Sequence, residues 1–202
     1  MIRQVQKNFD NMKMNISHHI IIHDILIPSL KKLYEVDFWN IEIGASERNI
    51  CARLAYHMEN IMREYDETHS DSLFNDYYVD VEYNRMGNGC LKRYETPNGQ
   101  SQYMVSDLLI HSRGCMCNYL AVEMKRKGNR KGVIRDKERL RGLVLPNLQD
   151  SSNQCVHNTL VGAFIEFSPT VVKIDVFENK GETYRIPLKY EQSEGLRFSL
   201  EI

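Results

Sequence analysis

Residues 118–128 read NYLAVEMKRKG, and this stretch narrows the fold more than any other. Side chains alternate between the two faces of a strand. Leu120, Val122 and Met124 therefore share one face, and Tyr119, Ala121, Glu123 and Lys125 share the other. The run is apolar enough to lie inside the protein, in a central sheet. Its far end nevertheless carries a carboxylate and an amine side by side. The segment before it, YMVSDLLIHSRG, is a second strand joined to the first by a short turn. Strands joined so tightly pair antiparallel, and the start of one then lies beside the end of the other. That pairing brings Asp107 close to Glu123 and Lys125.

Around these two strands the order reads helix, three strands, helix, two strands. SERNICARLAYHMENIMREY is the clearest helix, with Ser46 as N-cap, Glu47 in the first turn and a stripe of Ile50, Leu54, Met58, Ile61 and Tyr65. YYVDVEYNRM alternates, with Val79, Val81 and Tyr83 facing one way and Asp80, Glu82 and Asn84 the other. GNGCLKRYETPNGQSQ is a loop or hairpin region. RKGVIRDKERLRGLVL predicts a helix whose apolar side is Ile134, Leu140 and Leu143 and which Pro146 stops. TLVGAFIEFS and VVKIDVFENKG are two further strands, and the tail holds one short strand. The order predicts an α/β (mixed α+β) fold with a central mixed sheet flanked by helices. Residues 1–45, in which Pro28 starts or kinks a helix, form a helical extension packed on a core of residues 46–202, giving a single domain overall.

Composition bounds the partners. The hydrophobic fraction is 42% and the charged fraction 26%, values of an ordinary globular chain. No run of about 18 apolar residues exists, so no membrane partner is expected. The first fifteen residues lack the apolar stretch of a signal peptide, and the expectation is a cytoplasmic protein. The five cysteines are odd in number, and Cys115 and Cys117 read as reduced thiols near a turn. His19 and His23 stand one helical turn apart, but no acidic or cysteine partner has an obvious place beside them. The net charge of −1 hides a segment from Lys125 to Arg141 with nine basic residues against Asp136 and Glu138. Such a segment suits either a solvated helix face or contact with an anion such as a phosphate backbone.

Two carboxylates brought together are costly to ionise, and a hard divalent cation removes that penalty. Asp107 and Glu123 beside Lys125 therefore suit metal-assisted hydrolysis of a phosphodiester, with the lysine orienting or deprotonating water or neutralising charge on the phosphate. A rim salt bridge between Glu123 and Lys125 is the plainer reading of the same residues.

Asp107, an apolar run, a turn and then Glu123-Met124-Lys125 resemble the PD-(D/E)xK nuclease superfamily, which has the restriction-endonuclease-like fold. The resemblance covers roughly residues 46–178. The helix from Ser46 is similar to the family's first core helix, and the helix around 134–144 to its second. What the resemblance implies is a Mg²⁺- or Mn²⁺-dependent nuclease. Asp107, Glu123 and the backbone carbonyl of Met124 would hold the metal, and Lys125 would be the catalytic lysine. Glu47 or Glu82 would be a further acid of the site. Arg126, Lys127, Arg130, Lys131 and Arg135 would meet the phosphates of nucleic acid, with DNA the expected substrate. A homodimer would let two sites cut both strands of a duplex. The family's proline before the aspartate is Ser106 here. The alternative is a non-catalytic nucleic-acid- or protein-binding module on the same fold, within a defence or repair assembly.

Overall fold

The computed structural model describes residues 16–70, 72–84, 93–95, 100–103, 105–112, 118–144, 159–178 and 183–199. Cys115, Cys117, the PNG turn and Pro146 lie outside them. A π-helical segment, Ile20–Leu26, runs into α1 (Ile27–Val36). Pro28 lies just past the junction, where its missing N–H breaks the regular ladder. The short α2 (Phe38–Glu42) and the 23-residue α3 (Glu47–His69) follow. Ser46 caps α3 by accepting a hydrogen bond from the Asn49 N–H at 3.2 Å.

Among the described residues, nine strands and one more helix follow. The strands are β1 (Tyr77–Val81), β2 (Arg93–Glu95), β3 (Ser101–Tyr103), β4 (Leu108–Ser112), β5 (Asn118–Arg126), β6 (Thr159–Phe167), β7 (Val171–Glu178), β8 (Thr183–Glu191) and β9 (Gly195–Phe198). Seven of them form one sheet in the order β1-β4-β5-β6-β7-β8-β9, while β2 and β3 make a separate hairpin. Neighbours in the large sheet are antiparallel except β5 and β6, which are parallel. Such a pair needs a crossover connection, and α4 (Val133–Val144) lies on it. The architecture is thus mixed α+β, a mixed sheet flanked by helices.

Each face of the sheet has its own core. On one, the π-helical segment, α1 and α3 pack Ile21, Ile25, Leu30, Tyr34, Leu54 and Met58 against Leu120, Val122, Met124 and Ile165. The N-terminal helices expected to pack on the core supply much of it. On the other face, Leu140, Leu143 and Val144 of α4 cover Leu109, Ala121, Phe164 and Phe177. A side chain at Gly162 on β6 would put its Cβ 3.3 Å from Leu140 Cβ. The glycine lets α4 approach the sheet closely, and that approach brings the first turns of α4 down beside the end of β5.

Four expectations need correction. Tyr119 does not share the face of Ala121. The β4–β5 register shifts between Ile110 and His111, and Tyr119 turns into the larger core, stacked on Tyr77 at 3.8 Å. β1 ends at Val81. Glu82 takes φ 52°, so Tyr83 packs with the smaller core instead of following Val79 and Val81. Ile134 is 76% exposed, because the inward stripe of α4 runs through Asp136, Leu140 and Leu143. The tail holds two strands, β8 and β9, not one.

Candidate active site

β4 and β5 place the first three site residues. Leu108 pairs with Val122, so Asp107, one step before β4, lies beside the end of β5. Its Oδ2 accepts a hydrogen bond from the Met124 N–H at 2.7 Å. Glu123 is only 2% exposed and points to the α4 face, whereas Met124 points its side chain into the larger core. Lys125 follows at the partly open end of the strand. The first turn of α3 adds Glu47, whose Oε2 lies 3.7 Å from Lys125 Nζ. Glu47 Oε1 accepts hydrogen bonds from the Arg126 N–H and from Asn129 Nδ2, both at 2.9 Å.

Two residues of α4 that sequence reasoning missed complete the cluster. Asp136 is buried, with Oδ2 3.5 Å from Lys125 Nζ. Arg139 donates through Nη1 to Glu123 Oε1 at 2.5 Å and to the Val105 carbonyl at 2.9 Å, and its Nη2 lies 3.3 Å from Asp136 Oδ1. In the sequence both stand only as members of a charged run. The signal that could have found them is their spacing. Asp136, Arg139, Leu140 and Leu143 share one helical face, so an acid and a base stand on a stripe otherwise made of buried leucines.

The remaining expected residues engage other partners. Glu82 adjoins the cluster through its backbone, its N–H donating to the Asp107 carbonyl at 3.1 Å, but its carboxylate forms a double hydrogen bond with Arg48 on the surface, Arg48 Nε donating to Glu82 Oε1 at 2.9 Å. Arg126 donates to the carbonyls of Ile41 at 2.9 Å and Ala45 at 3.0 Å, and its guanidinium lies over the Phe167 ring. It ties the end of β5 to the helices before α3, so its guanidinium is not presented to a phosphate backbone. Lys127, Arg130, Lys131 and Arg135 are exposed, with no ion-pair partner among the described residues. They lie on the loop after β5 and in the first turn of α4, between Lys125 and Asp136 in the chain. His19 and His23 stack on each other at 4.5 Å.

Four carboxylates, Glu47, Asp107, Glu123 and Asp136, thus stand against two cations, Lys125 and Arg139. Burial pushes the Glu123 carboxyl up to about 8; Asp107 and Asp136 add to the rise and Arg139 opposes it. Burial also raises Asp107, against the pull of the Met124 N–H and Lys125. Burial disfavours the charge on Lys125, but Asp136, Asp107, Glu47 and Glu123 outweigh it and hold the amine above its ordinary range. On Glu47, the cost of burial is overcome by the Arg126 N–H, Asn129 and Lys125, which keep it below the usual carboxylate range.

A divalent cation fits this excess of negative charge. Among the described residues no three His, Cys, Asp or Glu side chains form a ready metal cage. Mg²⁺ needs none, because it keeps several waters and takes one or two carboxylates. Asp107 and Glu123 are the two that would meet such an ion.

The raised carboxyl of Glu123 has a consequence for stability. Its folded-state pKa exceeds the unfolded value, so the folded state binds the extra proton. Its contribution is therefore full below the unfolded pKa and is lost as pH rises toward about 8. Asp107 acts with the same sign. Asp37 and Asp175, both lowered, lose their contributions only on acidification through the folded pKa, below the ordinary carboxylate range. In EDTA the melting temperature should fall between about pH 5.5 and about pH 8. Mn²⁺ should restore it more at the upper pH, since a bound cation favours the ionised carboxylates; calorimetric melting curves with and without Mn²⁺ check both.

No helix of the described residues is long and apolar enough to cross a membrane. No family model, no curated protein and no solved structure matches the chain.

Proposed function

We propose that this chain is a metal-dependent nuclease with a restriction-endonuclease-like core, hydrolysing phosphodiester bonds of nucleic acid, with DNA the expected substrate. The observation that carries the reading is the meeting of Asp107, Glu123 and Lys125 at one end of β4 and β5, in a buried cluster with more carboxylates than cations. Support for the core comes from the strand order around it: a helix, an antiparallel pair carrying the acids, a crossover helix and a parallel strand. Asp107 and Glu123, with the Met124 carbonyl, would hold Mg²⁺ or Mn²⁺. That ion supplies Lewis-acid polarisation of the phosphate and a water of lowered pKa.

The protein's own groups do the rest. Lys125 stays protonated between Glu47 and Asp136, which suits it to stabilise charge on the phosphate and to orient water. A general-base role does not suit an amine whose proton is held this firmly. Glu47 fixes Lys125 and, through Asn129, the loop that carries the exposed basic residues. Lys127, Arg130, Lys131 and Arg135 would meet the phosphate backbone without reading sequence.

Purified protein incubated with plasmid, linear and single-stranded DNA should cleave in Mg²⁺ or Mn²⁺ and not in EDTA. Failure to cleave any of them, or RNA, in either metal would sink the reading. The role of the exposed basic residues has its own check. Replacing Lys127 or Arg130 with alanine should lower the slope of log affinity against log salt by about 1 for each phosphate no longer neutralised, leaving the fold intact.

One observation favours a second reading, a non-catalytic nucleic-acid- or protein-binding module. Arg139 already pairs with Glu123, so the carboxylate is neutralised without a metal. A protein that binds DNA but neither Mg²⁺ nor Mn²⁺ would fit this reading instead.

A further inference from the structure

Arg139 occupies the carboxylate that the metal needs. Its Nη1 lies 2.5 Å from Glu123 Oε1, inside the cluster and shielded from water. A divalent ion on the same oxygen would face the guanidinium at short range, where like charges repel strongly in a dry site. Other anchors of Arg139 are the Val105 carbonyl at 2.9 Å from Nη1 and Asp136 Oδ1 at 3.3 Å from Nη2. Neither depends on Glu123. The guanidinium also stays charged wherever it moves, and its fork matches phosphate oxygens.

We propose that Arg139 is the resident counter-ion of the metal-free site. It gives up Glu123 when Mg²⁺ or Mn²⁺ enters. Still tethered to Asp136 and Val105, it turns the freed N–H toward a phosphate oxygen of the substrate. The inference rests on the nuclease reading and assigns Arg139 a place in it that Asp107, Glu123 and Lys125 leave open. It also accounts for Asp136, which holds Lys125 and Arg139 on its two oxygens and keeps both beside the phosphate.

The test is calorimetric titration of Mg²⁺ into the wild type and Arg139→Met at about pH 8.5, above the raised Glu123 carboxyl at about 8, with single-turnover DNA cleavage measured in parallel. Removing the competing cation should tighten Mg²⁺ binding about tenfold, while cleavage falls about a hundredfold or more. A merely structural arginine would not tighten metal binding when removed. Arg139→Gln serves where the methionine variant does not fold. Glutamine loses the charge but keeps amide N–H donors, so it should bind Mg²⁺ more tightly than wild type and cleave more slowly. Equal or weaker Mg²⁺ binding in whichever variant folds overturns the proposal. If the wild type binds metal and cleaves DNA, that result removes only the role of Arg139. If neither protein binds metal and the wild type cleaves nothing, the nuclease reading falls with it.

Discussion

Lys125→Met should lower single-turnover cleavage of DNA about 10²- to 10³-fold, the usual loss when one preorganised donor to a developing negative charge is removed. The fold should survive. Glu47 keeps its hydrogen bonds from the Arg126 N–H and Asn129, and Asp136 keeps Arg139. Both acids that faced the lysine thus retain a partner, and the aliphatic stem of methionine replaces that of lysine. Metal binding should persist as well, because Asp107 and Glu123 are untouched. A variant that cuts at the wild-type rate would contradict the role given to Lys125. One that no longer folds would show that the lysine holds Glu47 and Asp136 together, and cleavage by Lys125→Arg would then decide the chemical role.

The second large effect is on stability. Arg126→Ala should destabilise the protein by about 3 kcal/mol, since it removes two charged hydrogen bonds and a cation–π contact. For a chain of this size that is a fall of roughly 6–12 °C in melting temperature. The carbonyls of Ile41 and Ala45 would be left to find water, and the junction between α2 and α3 would loosen from β5. DNA affinity of the folded fraction should stay close to wild type, because the guanidinium is turned inward. Denaturant unfolding gives the stability and a DNA titration below the melting temperature gives the affinity. The opposite pattern, unchanged stability and weakened binding, would return Arg126 to the phosphate-contacting set.

The contrast between Arg126 and its neighbours shows where sequence reading reaches and where it stops. A charge run tells how many cations a segment carries but not which way each one points. Lys127, Arg130 and Lys131 lie beyond the end of β5 and project to solvent, whereas Arg126 is the last strand residue and folds back over Phe167. The antiparallel pairing that sets Asp107 beside Glu123 was legible, because a short turn between two apolar runs leaves little choice of partner. The Ser46 cap was legible for a similarly local reason.

The rest depends on tertiary geometry. Tyr119 leaves its expected face at a register shift that no pattern in NYLAVEMKRKG marks. Asp136 and Arg139 enter the cluster because Gly162 lets α4 sit close on β6, a close approach that the sequence pattern of neither element marks. Asp136 also displaces the apparent apolar side of the helix. With an acid on the buried stripe, Ile134 looks like the better inward residue, yet it faces solvent. β8 and β9 are hard to separate in the sequence because β8 is half exposed and contains Pro187, which weakens any strand signal.

The central claim is that Asp107 and Glu123 hold a divalent cation. Calorimetric titration of Mn²⁺ into the wild type and Asp107→Asn tests it most directly. Asparagine keeps the shape and can still accept the Met124 N–H, so the fold is preserved while one charge is lost. The account predicts a single Mn²⁺ site in the wild type and binding about tenfold or more weaker in the variant. Equal Mn²⁺ affinity in the two proteins, or no binding in the wild type, would contradict it.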